Sequence, residues 1–403
     1  MLFKLMLLVL TTICSLSCSP PTTDESLKVQ DVTASVLWSR SSFSGSTWPL
    51  AEKDGTVYFA GNDEITFRAI NADTGVIEWE DNELVGIATA PVFFENGRIG
   101  GLSGENLVLY NLNGIVDKSV NFGDSRWQRN SQAVVDGNTV YFATIGHGLC
   151  RVNILTDLYW DGNQWRADPE VLYPLPEDAD GDGRIHWLAP VIHQGIAYGG
   201  VNPEWGKPGT FYAIDLDTKE ILWQTKGQHL DAWGYWTPLY RNDRLIILDP
   251  YGFGIIDPAT GEILVEHGVY YAGGKDAGGF IYNNRAYYTS GTVADNTDNP
   301  NNVKCVDLDT GEAVWMKSFE YSHGSNPVCH EGLTYVFSQD CMRILDAETG
   351  MLLGIDTSIH GDRWQLCNVL KYNDTAIVKH STAIYAVKLN FRTDGKGKLW
   401  QEE

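Results

Sequence analysis

A short pattern returns along this chain at irregular but repeated intervals, and it restricts the fold more than any other feature. Ala69-Ile-Asn-Ala-Asp73-Thr74-Gly75-Val-Ile-Glu-Trp79 recurs as Ala213-Ile-Asp-Leu-Asp217-Thr218-Lys-Glu-Ile-Leu-Trp223 and as Cys305-Val-Asp-Leu-Asp309-Thr310-Gly311-Glu-Ala-Val-Trp315. Weaker copies run from Ile255 to Val265 and from Ile344 to Gly354. Degenerate ones run from Leu109 to Val116, Arg151 to Trp160 and Tyr385 to Trp400. Each copy reads as strand, tight turn, strand: Gly supplies positive φ, and the Asp and Thr side chains satisfy backbone groups in the turn. The Trp is expected to pack on a neighbouring unit. Self-similarity of this kind marks a repeat architecture.

A second hairpin precedes each motif, as in Pro91-Val-Phe-Phe-Glu-Asn-Gly97-Arg-Ile99 and Val134-Val-Asp-Gly137-Asn-Thr-Val-Tyr-Phe142. Two hairpins make four antiparallel strands, which is one propeller blade. Eight such units, rather than seven, begin near Trp48, Ala90, Gln132, Ala189, Thr237, Gly278, Asn326 and Leu366. The expected fold is all-β: a single β-propeller of eight four-stranded blades over residues 32–403. A length of 403 residues would otherwise suggest more than one domain. Two segments compete to close the ring, the strand around Leu37-Trp38 and the one ending at Trp400.

Residues 1–17 read as a signal peptide. Lys4 precedes an apolar run to Leu10, followed by small residues up to Cys18, too short for a membrane span. Ser15-Leu16-Ser17-Cys18 resembles a lipoprotein box, which would acylate Cys18. Residues 18–31 then form a flexible tether. This implies export, to the periplasmic face of the outer membrane or the cell surface if lipidated, and otherwise to the periplasm or medium. The formal charge of −23 argues against a nucleic-acid partner bound through a basic surface. Cys150, Cys305, Cys329, Cys341 and Cys367 allow one or two disulfides in an oxidising compartment.

The pattern Asp-x-x-Thr-Gly-x-x-x-Trp resembles the pyrroloquinoline-quinone-type repeat. That repeat occurs in quinoprotein alcohol dehydrogenases and in the propeller lipoprotein of the outer-membrane β-barrel assembly machine. The resemblance covers essentially the whole mature chain and is specific for fold, not activity. A quinone-dependent dehydrogenase would be expected to carry an adjacent Cys-Cys pair against its cofactor, and this chain has none. Bound quinone is therefore not expected.

In a propeller the hairpin turns lie on one face, and the loops between blades and between the hairpins of a blade lie on the other. The large insertions 161–185, 202–210 and 293–304 are all assigned to the second class of loop, so one face is elaborated. Residues just before each innermost strand would surround the channel mouth there: Trp48, Arg126, Trp127, Arg129, His186, Trp187, Trp233, Tyr235, Trp236, Lys275, His323, Arg363 and Trp364. Aromatic faces and cations suit an anionic or saccharide ligand; the competing reading is that the tryptophans pack between blades.

Asp178, Asp180 and Asp182, with Gly183 and the carbonyl of Arg184, form the first half of a calcium loop. Ala189 stands where a complete loop has its closing Glu, so calcium here would be structural. The reading is a monomeric cell-envelope propeller that binds a ligand or an envelope protein on its elaborated face. The alternative is a polysaccharide lyase acting on a uronate-containing glycan. There Arg126, Arg129 or Arg363 would neutralise the uronate, and His186, His323 or Tyr235 would move protons.

Overall fold

In the computed structural model the described residues are 29–41, 50–60, 67–81, 90–103, 106–123, 132–144, 147–174, 186–202, 208–228, 230, 238–249, 252–268, 279–290, 301–319, 325–338, 341–359, 368–379 and 383–402. They contain strands and no helix. Eight antiparallel meanders follow one another: blade 1 (51–81), blade 2 (92–121), blade 3 (134–173), blade 4 (186–226), blade 5 (239–268), blade 6 (279–319), blade 7 (328–356) and blade 8 (368–388, completed by Val36–Ser41). This is the eight-bladed propeller expected from the repeat.

Within a blade, exposure depends on strand rank. The second strand is buried along its length, as in Leu333–Phe337 and Thr375–Lys379. It is covered on both faces by neighbouring blades, so it reads as a continuous apolar run. The fourth strand faces outward and alternates weakly, as in Ile221–Lys226.

The junctions between blades explain the Thr-Gly-x-x-x-Trp pattern. Trp38 of blade 8 lays its ring on Gly75 of blade 1 and donates Nε1–H to the carbonyl of Ala72 at 2.8 Å. Trp79 does the same to Gly114 and Leu112 (3.1 Å), Trp223 to Gly261 and Pro258 (2.8 Å), and Trp315 to Gly350 and Ala347 (3.1 Å). A Cβ at Gly114 would lie 2.3 Å from Trp79, and its φ is +77°, so the residue is required twice over. Area burial and the hydrogen bond together stabilise each junction by on the order of 2 kcal/mol.

Where Trp is missing, other groups meet the same turn. Arg151 donates from Nη1 to the carbonyl of Leu216 at 3.0 Å, with Lys219 (φ +63°) at the glycine station. Val265 covers Gly311, while a ring nitrogen of His267 lies 2.6 Å from the Gly311 carbonyl.

The ring is closed by the N-terminal candidate. Val36–Ser41 pairs antiparallel with Ala383–Lys388, Trp38 opposite Ala386, as the fourth strand of blade 8. The strand ending near Trp400 instead forms a separate hairpin, Phe391–Thr393 with Leu399–Gln401. Just before the closing strand, Gln30–Asp31 adds in parallel to the outer edge of blade 7, opposite Gly354 and Ile355, and Val32 N–H donates to the Ile355 carbonyl.

The expected division of the largest insertion needs correction. Its first part is not a blade-to-blade loop. Tyr159–Trp160 and Trp165–Arg166 make a hairpin whose second arm adds in parallel to Val120 and Asn121 on the edge of blade 2. Glu170–Tyr173 is then the fourth strand of blade 3, so Trp160 is not the tryptophan of a blade-closing motif. The cause is the unpaired edge of blade 2: Ala167 N–H also donates to the Asn121 carbonyl, the same bond that Val32 makes on blade 7. Lys118 completes the hairpin's seat, its ammonium 4.0 Å from the Trp165 ring centroid.

Disulfides were expected to be possible among the cysteines. Cys150, Cys305 and Cys329 are instead buried free thiols, and Cys341 is buried with its Sγ 3.9 Å from Ser338 Oγ. Burial raises the thiols of Cys150 and Cys305 to about 11 and that of Cys329 to about 12, so they behave as small core residues. Cys367 lies outside the described residues.

Candidate functional site

The loop side of the ring is defined by strand direction: second strands end there and third strands begin there. Trp48, Arg126, Trp127, Arg129, Trp233, Tyr235, Trp236, Lys275, His323, Arg363 and Trp364 lie outside the described residues, as do the calcium-loop residues Asp178, Asp180, Asp182 and Arg184, and also Cys18. His186 opens the first strand of blade 4, pairing with Asn202.

Trp187 follows it and is fully buried. Its ring stands edge-on to Tyr173 (5.9 Å between centroids, 78°), and Tyr173 stacks on Tyr212 at 4.5 Å. Trp187 thus fills the junction between blades 3 and 4, which is what the packing reading describes. Among the described residues its Nε1 and the Tyr212 hydroxyl meet no hydrogen-bond partner. Burial drives the Tyr212 phenol well above its ordinary range.

Several cations on the loop side are not among the residues singled out from sequence. One repeat station lies three residues before the turn Asp or Asn, within the third strand. It holds Arg68 in blade 1, Lys304 in blade 6 and Arg343 in blade 7. Arg343 is 6% exposed; it donates from Nη1 to Ser338 Oγ at 2.6 Å and faces the Phe319 ring at 5.0 Å. Lys304 sits 5.9 Å from the Tyr288 ring, and burial lowers its amine.

At the end of the second strand of blade 8, Lys379 is 1% exposed and lies 6.0 Å from the Phe59 ring. Its ammonium is pushed down to about 8, first by burial and then by Arg68 across the junction. Arg68 in turn pairs with Glu80 at 3.2 Å. In a chain of net charge −23, cations therefore gather on the loop side of blades 6, 7, 8 and 1. The signal for them was legible: a Lys or Arg inside an apolar strand, in one column of the aligned repeats.

A second concave feature lies on the opposite, hairpin-turn side. A cleft of about 550 Å³ opens where the ring closes, with Ser35, Leu37, His330, Arg392, Gln401 and Glu402 among its walls. Its charges are mutually paired: Arg392 bonds Glu331 at 2.6 Å and Glu402 at 3.4 Å, and Lys388 bonds Asp374 at 2.5 Å. No cluster of His, Cys, Asp and Glu able to hold a metal occurs among the described residues.

A family profile described as outer membrane protein assembly factor BamB matches residues 21–225, just over half of the chain. No curated protein sequence matches significantly. Among solved structures the chain is similar to BamB from Moraxella catarrhalis, at 14% identity and a TM-score of 0.64, covering 88% of this chain and 100% of that one. It is also similar to the quinohemoprotein alcohol dehydrogenase from Comamonas testosteroni, at 10% identity and a TM-score of 0.62, covering 90% of this chain and 78% of that one. The C-terminal WD40 domain of Sif2 follows at 12% identity and a TM-score of 0.58, covering 89% and 99%. At such identities these likenesses speak to fold alone.

Proposed function

The chain belongs to the family described as outer membrane protein assembly factor BamB, and from that premise we propose that it is an exported envelope scaffold that binds a protein partner on its loop side. The observation that carries the reading is a run of cations on adjacent blades, Arg68 and Lys304 partly exposed and Arg343 and Lys379 buried, which together set a positive field on that side. In the sequence, Lys275 precedes the first strand of blade 6 and Arg363 that of blade 8. Cations held near an apolar, partly desolvated rim suit an acidic partner surface, because attraction is less screened there than in bulk water. Export rests on the apolar leader and the lipoprotein-type box at Cys18. Calcium at Asp178, Asp180, Asp182 and the Arg184 carbonyl would pin the segment entering blade 4.

The test is made in the cell that produces the chain. Removing the protein is expected to lower the amount of folded β-barrel protein in the outer membrane. Wild type should restore it, while a Lys275→Glu, Arg363→Glu variant should not. Unchanged barrel content would overturn the assembly role. A rise in ultraviolet absorbance when the purified protein meets a uronate polysaccharide would instead favour the lyase.

A further inference from the structure

The hairpin Phe391–Thr393 with Leu399–Gln401 is surplus to the propeller, since blade 8 is closed by the N-terminal strand. From Phe391 to Gln401 it carries Arg392, Lys396 and Lys398 against the single carboxylate of Asp394, with Glu402 and Glu403 following. Lys388 and Arg392 are engaged in ion pairs. Lys396 and Lys398 are exposed at the tip, and their backbone N–H groups first and their ammonium charges second hold the Asp394 carboxyl below its ordinary range. Asp394 is occupied in the turn, accepting the backbone N–H groups of both lysines at 2.8 and 3.1 Å. Beside them Trp400 is 46% exposed.

The hairpin also adjoins the start of the folded chain. The Gln30 side-chain amide, oriented so that both its atoms are satisfied, brackets Leu399: it donates to the Leu399 carbonyl and accepts from the Leu399 N–H at 2.8 Å. Next to Gln30, Val29 is 43% exposed. On the other side, Leu37 (50% exposed) shares the turn-side cleft with Gln401. Val29, Trp400 and Leu37 are thus exposed on segments that meet near this rim, which also carries Lys396 and Lys398.

We propose that this closure rim lies on an anionic phospholipid surface, with Trp400 at the headgroup level and Lys396 and Lys398 against the lipid phosphates. Trp favours the interface between water and hydrocarbon, and lysines are drawn to an anionic leaflet. The chain as a whole carries a formal charge of −23 and is repelled by such a leaflet. Remote charges are screened beyond about 8 Å at physiological salt, so a local basic tip can govern orientation.

The proposal rests on the exported, lipid-anchored reading in one respect, the position of the anchor. A chain acylated at Cys18 would have only residues 19–28 before Val29, a reach of about 35 Å at full extension. The anchor would therefore hold this rim, rather than blades 3 and 4, toward the bilayer.

The experiment uses full-length mature protein carrying Cys18→Ser, so that no acyl chain contributes. It measures co-sedimentation with vesicles of phosphatidylglycerol mixed with phosphatidylethanolamine, and with vesicles of phosphatidylcholine alone. Binding is expected to the anionic vesicles only and to weaken as salt rises. Lys396→Ala and Lys398→Ala should each lower affinity on the order of fivefold, and Trp400→Ala should lower it further. Trp160→Ala, which removes a more exposed indole from the blade 2 rim, should leave it unchanged. Equal binding to both vesicle types, no binding to either, or an equal loss in Trp160→Ala would overturn the proposal. If the rim instead docks on a membrane protein, the chain will ignore lipid vesicles and bind only those made from whole outer membrane. None of these outcomes depends on the assembly role, which the barrel-content measurement decides separately.

Discussion

Single residues at the blade junctions hold this ring together, and two glycines of blade 2 separate the causes. Gly97 has φ +82° with nothing within 4 Å of a built Cβ, whereas Gly114 has φ +77° with the Trp79 ring 2.3 Å away. Gly97→Ala should cost about 1 kcal/mol, from backbone strain alone. Gly114→Ala should cost about 3 kcal/mol, because the indole must also leave its seat. Urea unfolding will show this as a larger midpoint shift at unchanged slope.

Lys379 makes a pH-dependent prediction. Its folded value of about 8 lies below the ordinary 10.5, so between these values the unfolded chain binds more protons. Stability from this group therefore rises as pH climbs from about 8 toward 10.5. Lys379→Met should flatten that rise relative to wild type in chemical denaturation series taken across the window.

Elements added at the edges follow one rule. Outer strands present unpaired N–H and C=O groups, and on blades 2 and 7 the chain covers them with a parallel segment just before the next outer strand. The N-terminal segment has a second role, because Val36–Ser41 closes the ring. Truncation through Ser41 should abolish cooperative unfolding, whereas removal of 391–403 should leave a cooperative eight-bladed ring. Calorimetry of the two truncations distinguishes strand closure from the capping that Leu399 gives Gly354. The sequence could not rank these two segments. Both contain a Leu-Trp pair, Leu37-Trp38 and Leu399-Trp400, and only the register of Trp38 against Ala386 decides between them.

At the scale of the whole molecule, the propeller separates two faces and gives each a different chemistry. Cations gather on the loop side of blades 6, 7, 8 and 1, while the closure rim carries the basic hairpin and the cleft. Calcium belongs to this scale, since the proposed loop would tie the entry of blade 4 to the ring. Chelation with EGTA should lower the thermal midpoint by a few degrees. Asp180→Asn together with Asp182→Asn should remove that dependence. A midpoint indifferent to calcium in wild type would exclude a structural ion at this loop.

Repeat count, strand order within blades and the docking role of the motif tryptophans were all written in local sequence. Each depends on contacts between residues a few positions apart, or on one pattern copied around the ring. The Arg68, Lys304 and Arg343 column was also present in the aligned repeats, yet its meaning required knowing which end of the third strand meets the loops. Three outcomes belonged to tertiary structure alone. They are the choice of closing strand, the crossing of Tyr159–Arg166 to blade 2, and the packing of Trp187 against Tyr173. In each, a segment chooses among partners distant in sequence. That choice is set by which edge is unpaired and which surface is apolar once the ring has formed.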